Sequence, residues 1–194
     1  MFVEVLGRHL AVSSISELER SLRMDSGFWN VVSIREPQVS RPAFLSFSKR
    51  FHVVICEDRE EVDLGVPSRP PRPEDVRSIF EFVDAYPGEP IMVHCLAGLS
   101  RSPAVALALI VRGMIKGEWD ARNPGPLVER AVDLLLQIRR KARPNVLLLR
   151  LCLEQFLPAK QANDLTVDLV NHQVLMENRF VKQQGSHGPY RLGS

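Results

Sequence analysis

The sequence predicts an α/β fold in which a central, largely parallel sheet is flanked by helices. Strand-like and helix-like segments alternate up to about residue 94, and helical segments follow. This order is typical of parallel sheets, whose strands are joined by crossover helices. With 194 residues, 45% of them hydrophobic, the chain is long enough for one domain with a substantial core.

Four apolar runs are predicted to form the strands, because β-branched and aromatic residues favour buried strands. They are Leu10 to Val12, Trp29 to Ile34, Phe51 to Cys56 and the segment that begins at Ile91. A helix to about Met24 follows the first run, since Ser14 and Glu17 have the spacing of a capping box.

Prolines mark the predicted starts of the other helices, because proline fits the first helical turn. One helix begins at Pro73 and ends before Pro87, and three more follow the last strand. The predicted ranges of these three are Pro103 to Ile115, Pro126 to Arg140 and Pro144 to Phe156. Residues 1–158 are therefore predicted to form one domain, and residues 159–194 a C-terminal extension that is partly disordered.

Charge and cysteine content narrow the functional classes. A net charge of +2 does not favour binding to nucleic acid or to a membrane surface, and no secretory segment is visible at the N terminus. The cysteines Cys56, Cys95 and Cys152 lack metal-binding spacing and are odd in number, which favours free thiols and a cytoplasmic location. The sequence leaves the oligomeric state open.

The segment Ile91 to Ser102 carries the chemistry. A buried strand leads into a short loop with Cys95 and Arg101 six positions apart, and a helix follows. The N terminus of a helix attracts anions, and a cysteine placed there is activated as a nucleophile. An arginine adds a planar set of donors that suits phosphate oxygens. The pattern predicts a phosphate site in which sulfur attacks phosphorus.

The run from His94 to Ser102 resembles the signature loop of the cysteine-dependent protein tyrosine phosphatase superfamily, His-Cys-x5-Arg-Ser/Thr, and is most similar to its dual-specificity branch. The resemblance implies the corresponding fold and a metal-independent phosphomonoester hydrolase that forms a cysteinyl-phosphate intermediate. It also implies that Ser102 donates to the cysteine sulfur, that His94 supports the loop, and that no cofactor is needed. The backbone N–H groups expected to bind phosphate are those of Leu96, Ala97, Gly98, Leu99 and Ser100.

A leaving oxygen needs a proton, so a general acid must come from another loop. Asp58 is the favoured candidate because it comes just after the Phe51–Cys56 strand, at the start of a long loop. The resemblance to dual-specificity phosphatases implies an acid on a loop in this position. Asp63 is the next candidate, and Asp75 is explained as a first-turn helix residue. The chain has no Trp-Pro-Asp loop, so the choice between Asp58 and Asp63 stays open.

The expected substrate is a phosphorylated protein or peptide. Leu96 and Leu99 stand where phosphoinositide phosphatases of this superfamily tend to carry lysines, which disfavours a highly charged inositol headgroup. Two alternatives stay open: a phosphate-binding module that is catalytically weak, and the same chemistry on a nucleotide, an RNA 5′-phosphate or a lipid phosphate. The basic run Arg139-Arg140-Lys141 is interpreted as ordinary charge at a helix C terminus.

Overall fold

The computed structural model describes residues 1–60, 68–117 and 124–184, with the side chains of residues 181–184 excepted. These ranges form the predicted α/β fold, a five-stranded sheet covered by helices on both faces. The strands are β1 (Phe2–Val3), β2 (Arg8–Ser13), β3 (Asn30–Arg35), β4 (Arg50–Ile55) and β5 (Ile91–His94). The short β1, which pairs with β2 as an antiparallel edge, is absent from the sequence prediction.

The strand order is β1-β2-β5-β3-β4, and all pairs after the first are parallel. β5 therefore lies in the middle, with β2 on one side and β3 on the other. Its four residues are all buried, which explains the continuous apolar run. The chain leaves this strand at the carboxyl edge of the sheet, where open α/β sheets bind their ligands.

Seven α-helices surround the sheet in the described residues. They are α1 (Ile15–Met24), α2 (Pro73–Asp84), α3 (Arg101–Lys116), α4 (Pro124–Ile138), α5 (Val146–Leu153), α6 (Ala159–Val170) and α7 (Gln173–Gln184). The capping box predicted for α1 is present, with reciprocal bonds between Ser14 and Glu17. α1 covers one face of the sheet, where Leu18 and Leu22 pack with Val31 and Met92.

The other face of the sheet carries the larger core, centred on α3. Every residue of this helix from Arg101 to Val111 is buried, because α3 lies between the sheet and helices α4 and α5. Alternate strand residues, such as Val32 and Val93, point into this core. A central helix with so many contacts gives the loop before it a rigid base.

The C-terminal segment is more ordered than the sequence suggests, since residues 159–184 form α6 and α7. α6 packs against α4 and α5 through the buried residues Ala162, Leu165 and Leu169, which recur at helical spacing. Disorder is predicted from Lys182 to Ser194; residues 182–184 belong to α7, and residues 185–194 lie outside the described residues. No helix in the described part of the chain is long and apolar enough to cross a membrane.

Candidate active site

The loop between β5 and α3, residues Cys95 to Arg101, is called the signature loop below. β5 ends at His94 and α3 begins at Arg101, so the loop is held between a central strand and the first turn of the most buried helix. The helix directs its free N–H groups and the positive end of its dipole toward the loop. The loop therefore lies at the helix N terminus where the sequence predicts an anion site.

Five consecutive carbonyl groups of the signature loop accept hydrogen bonds from residues outside it. The carbonyl of Leu96 accepts from the backbone N–H of Ile15 at 3.1 Å. The carbonyls of Ala97 and Gly98 accept from the side chain of Arg139 at 3.1 and 3.0 Å. Those of Leu99 and Ser100 accept from the backbone N–H groups of Arg143 and Asn145 at 2.8 and 3.2 Å. In a planar trans peptide, the C=O of one residue and the N–H of the next point in opposite directions. The N–H groups that follow these carbonyls, those of residues 97–101, therefore point into the loop as an anion-binding nest. For Leu96 the participation of the N–H stays a prediction.

Gly98 is required where it stands for two reasons. Its φ of 69° lies in the left-handed region, which side chains rarely adopt. A Cβ on this residue would also lie 2.6 Å from the backbone carbon of Ser13 and the nitrogen of Ser14. The loop thus packs directly on the backbone between β2 and α1, and only glycine permits this approach.

Arg101 is 2% exposed and is fixed by two partners. Its Nη1 donates to the carbonyl of Cys56 at 2.6 Å, and its Nη2 donates to Glu36 Oε1 at 3.1 Å. The Nε is buried and has no partner among the described residues. An unpaired buried donor is costly, so a ligand oxygen at this Nε would complete the set. Glu36, which the sequence analysis did not single out, balances the buried charge of the arginine.

Cys95 is 2% exposed, and its Sγ lies 3.2 Å from Ser102 Oγ in the first turn of α3. When the sulfur is a thiolate, the hydroxyl is the donor of this contact, because a thiolate only accepts. The structure thus places Ser102 beside the sulfur, as the resemblance implies. Cys56 is buried at the end of β4, and burial raises the pKa of its thiol to about 12, which keeps this second cysteine protonated and unreactive.

His94 supports the loop from the side of the sheet. Its Nε2 lies 2.8 Å from Ser33 Oγ, on the neighbouring strand β3, where the two residues are paired in register. Burial lowers the pKa of His94 to about 4, and the charges of Arg35 and Arg101 add to the effect. The imidazole is therefore neutral at neutral pH and acts as a hydrogen-bonding group, not as a charged one.

Arg139, near the end of α4, corrects the interpretation of the basic run as ordinary helix-end charge. Its Nε and Nη2 donate to the carbonyls of Gly98 and Ala97, and its Nη1 contacts both carboxylate oxygens of Glu17 at 2.8 and 2.9 Å. These bonds to Arg139 hold the pKa of Glu17 at about 2. The guanidinium therefore joins the outer edge of the signature loop to α1.

Residues Glu57 to Glu60, called the acid loop below, pass beside the signature loop. Asp58 Oδ1 accepts from Ser100 Oγ at 2.6 Å and from Asn145 Nδ2 at 3.0 Å. Asn145 also caps α5, since its Oδ1 accepts from Leu148 N at 2.8 Å. The structure thus places Asp58, an exposed carboxylate, at the rim of the anion site, where the sequence analysis expected the acid.

Of the other two aspartates considered as acids, Asp75 lies among the described residues. Asp63 lies outside the described residues. Asp75 is buried at the start of α2, where it accepts from Arg69 at 2.9 and 3.1 Å and from the Arg72 backbone N–H at 3.1 Å. Its carboxylate is thus engaged in holding α2, in agreement with the structural role expected for it.

The pocket above the sulfur is narrow and largely apolar. Ile15, Ile34, Val39 and Leu96 line it together with Cys95, Arg101 and neighbouring residues. Leu96 is 53% exposed on the signature loop. Among the described residues, no group of three or more His, Cys, Asp or Glu side chains is arranged to hold a metal ion. The site therefore combines a cationic floor with apolar walls.

Sequence reasoning missed Glu36, Arg139 and Asn145, which hold Arg101, the loop carbonyls and Asp58. Only Asn145 has a local signal, because a residue after proline and before an apolar helix is a good N-cap. The roles of the other two depend on contacts between distant parts of the chain.

Comparison with solved structures finds proteins of the tyrosine phosphatase kind. The human tyrosine phosphatase-like serine/threonine/tyrosine-interacting protein is 21% identical over 74% of this chain and 84% of its own, with a TM-score of 0.48. PTPMT1, solved in complex with PI(5)P, is 18% identical over 82% of this chain and 93% of its own, with a TM-score of 0.47. OH1 from the Orf virus, a tyrosine phosphatase, is 19% identical over 86% of this chain and 83% of its own, with a TM-score of 0.43. No family model matches the sequence, and no curated protein matches it.

Proposed function

We propose that the chain is a metal-independent phosphomonoester hydrolase of the cysteine-dependent tyrosine and dual-specificity phosphatase type. The thiolate of Cys95 attacks phosphorus, so that an S–P bond forms while the P–O bond to the leaving group breaks. Arg101 and the loop N–H groups bind the phosphate oxygens and stabilise their charge in the transition state. Because these donors supply the positive charge, the proposed chemistry needs no metal and no cofactor.

The observation that carries this proposal is the outward direction of five loop carbonyls around a buried cysteine. Outward carbonyls direct the next N–H groups inward, toward one point near the sulfur. A buried structural cysteine has no need of such a ring of donors, nor of a buried arginine with an unpartnered Nε. The arrangement is preorganised, which is what makes electrostatic stabilisation effective.

Asp58 is proposed as the general acid. Both of its hydrogen bonds, from Ser100 and Asn145, go to Oδ1, which leaves Oδ2 to carry the proton. In the first step this proton passes to the leaving oxygen. In the second step the carboxylate accepts a proton from water, the water oxygen attacks phosphorus, and the S–P bond breaks to release phosphate and the thiolate. Ser102 stabilises the departing sulfur by donating to it.

A phosphorylated protein or peptide is the proposed substrate class. The apolar walls formed by Ile15, Ile34 and Val39, with exposed Leu96, suit the apolar part of a phosphorylated side chain. Among the lining residues, the cations that a highly charged inositol headgroup would meet are Arg35 and Arg101, and Glu36 would repel it. The rates with a phosphotyrosyl peptide, a phosphoseryl peptide, a nucleotide, a 5′-phosphorylated RNA and a phosphoinositide would rank the alternatives directly.

The first experiment compares hydrolysis of p-nitrophenyl phosphate in EDTA by the wild type, Cys95→Ser and Cys152→Ala. Cys152 is also buried, so its variant controls for the loss of a buried thiol. We expect turnover in the wild type and in Cys152→Ala, and none in Cys95→Ser, which should still bind inorganic phosphate. Activity retained in Cys95→Ser would disprove the cysteine mechanism.

The second candidate function is a non-catalytic phosphate-binding module. The exposure of Asp58 favours it, because an acid open to water protonates a leaving group less effectively. A folded, reduced wild type that binds phosphate but hydrolyses none of the esters named above would establish this alternative.

A further inference from the structure

The last helix of the described chain reaches the acid loop. Arg179 of α7 donates through Nη1 to Glu60 Oε1 at 2.9 Å and through Nη2 to the carbonyl of Pro144. Asn178 donates to the carbonyls of Arg140 and Ala142 at 3.0 and 2.9 Å. α7 is thus bonded both to the acid loop and to the connection between α4 and α5.

Glu60 is held from two sides. Its Oε1 accepts from Arg179 and also from the backbone N–H of Val146, the first residue of α5, at 3.3 Å. A carboxylate is favoured at a helix N terminus because of the helix dipole. One residue earlier, the carbonyl of Arg59 accepts from Asn145 Nδ2 at 3.0 Å. The backbone on the C-terminal side of Asp58 is therefore fixed at two successive residues.

The contact with Arg179 belongs to a cluster of charged side chains around Asp58. The acid loop carries the carboxylates of Glu57, Asp58 and Glu60 within four residues. Arg59 pairs with Glu57 at 2.7 Å, and Arg179 pairs with Glu60. The Arg179 side chain is 26% exposed and the Glu60 side chain 43%, so solvent screens this pair in part. Without Arg179, the Glu60 carboxylate would keep only the longer bond from the Val146 N–H.

We infer that Arg179 is a positioning residue for the general acid, and that α7 is part of the catalytic unit. The inference rests on the proposed function, in which Asp58 protonates the leaving oxygen. Proton transfer requires the acid to lie within hydrogen-bonding distance of that oxygen. By fixing Glu60, Arg179 restricts the path of the acid loop and keeps Asp58 over the signature loop. The phosphate-binding groups make no contact with α7 among the described residues.

The expected signature is a defect that depends on the leaving group. Phenyl phosphate releases a strongly basic phenolate and needs the acid, whereas p-nitrophenyl phosphate releases a stabilised anion and needs it less. We expect Arg179→Ala to lower kcat for phenyl phosphate about tenfold more than for p-nitrophenyl phosphate, which is a part of the roughly 100- to 10,000-fold that general acids contribute. Inhibition by inorganic phosphate should stay within about twofold of the wild type, because Arg179 reaches the nest only indirectly, through the Pro144–Asn145 peptide group whose N–H holds the Ser100 carbonyl, and Arg101 is untouched.

Three further variants complete the test. Asp58→Asn should show the same dependence on the leaving group, but larger. Arg179→Lys keeps a charge near Glu60 and should recover part of the loss. Lys160→Ala removes an exposed ion pair with Asp164 on α6, 2.7 Å long, and serves as the matched control with no effect on either substrate.

The outcomes separate the two proposals. If Asp58→Asn shows no dependence on the leaving group, the assignment of the acid fails, whatever Arg179 does. If Asp58→Asn shows this dependence, but Arg179→Ala lowers kcat equally for both substrates or weakens inhibition by phosphate, the positioning role of Arg179 is refuted. Should Arg179→Ala not fold, Glu60→Gln, which keeps an acceptor for Val146 but loses the charge, decides by the same ratio of rates.

Discussion

Glu17 and Arg139 form an ion pair across 122 residues of sequence, with Arg139 Nη1 at 2.8 and 2.9 Å from the two carboxylate oxygens of Glu17. The other nitrogens of the same guanidinium bind the carbonyls of Ala97 and Gly98. Glu17 therefore orients the arginine, and the arginine orients two peptide groups of the signature loop. The capping box of α1 is in this way connected to the phosphate site.

Replacing Arg139 by alanine should weaken phosphate binding. Two peptide groups lose a charged donor, and such bonds contribute about 1.5–3 kcal/mol each, so their N–H groups are no longer held inward. We expect the inhibition constant for inorganic phosphate to rise about tenfold, which corresponds to about 1.4 kcal/mol. Arg23→Ala removes an exposed ion pair on α1 and is the control. An unchanged constant in Arg139→Ala would show that the loop holds its shape without this residue.

The ion pair between Glu17 and Arg139 should make the stability of the fold depend on pH in the acidic range. The bonds from Arg139 lower the pKa of Glu17 to about 2 from its ordinary value of 4.5. A carboxyl group with a lowered pKa stabilises the fold above its unfolded value, and this contribution is lost as the pH falls through the folded value. Glu17→Gln should therefore lower the Tm at pH 7, and the gap to the wild type should narrow below about pH 4.5. Thermal unfolding at several pH values measures this, and a gap that widens in acid would contradict it.

Gly98→Ala should abolish activity, while Gly27→Ala should not. Both glycines have positive φ, 69° and 76°, but only at Gly98 would a Cβ meet backbone atoms, at 2.6 Å. The strain of the left-handed conformation, about 1–2 kcal/mol, is thus common to the two variants. Rates of ester hydrolysis and Tm values for the pair would isolate the effect of the close approach. Equal losses in both variants would mean that strain alone is responsible.

His94 should not titrate in the range where histidine normally does. Burial lowers its pKa to about 4, so between this value and its ordinary 6.5 the unfolded chain binds a proton that the folded chain does not. The fold should therefore lose stability as the pH falls from 6.5 toward 4. NMR of the His94 ring should show no titration between pH 8 and 5 in the folded protein, but a normal one in urea. Titration near pH 6.5 in the folded state would place a charge beside Ser33.

The sequence was sufficient to predict those elements whose signals lie in one short stretch of the chain. The strand that ends at His94, the loop and the helix after it are contiguous, and their apolar run, glycine and proline each have a local physical reason. Asp58 comes three residues after the end of β4, and its carboxylate accepts from Ser100 of the signature loop; its role as the acid stays a prediction. Helix starts differ from the prediction by about two residues, as at α3, which begins at Arg101 instead of Pro103.

The rest depends on contacts between distant residues. Nothing near Arg139 in sequence indicates that its donors reach Ala97, and nothing near Glu36 indicates a buried arginine as its partner. α7 has a weak apolar face, with Leu175 as its buried position and much of its surface polar, so its periodicity gives little signal. Its place is set instead by side-chain bonds from Asn178 and Arg179 to the connection before α5.

The outward carbonyls of the signature loop also determine when the site can exist during synthesis and refolding. Their partners come from Ile15 on one side and from Arg139, Arg143 and Asn145 on the other. A nascent chain that has just emerged past α3 contains the whole Cys95–Arg101 motif, yet lacks most of the groups that orient it. On the proposed function, we expect phosphate binding to be acquired late, together with the C-terminal half of the domain.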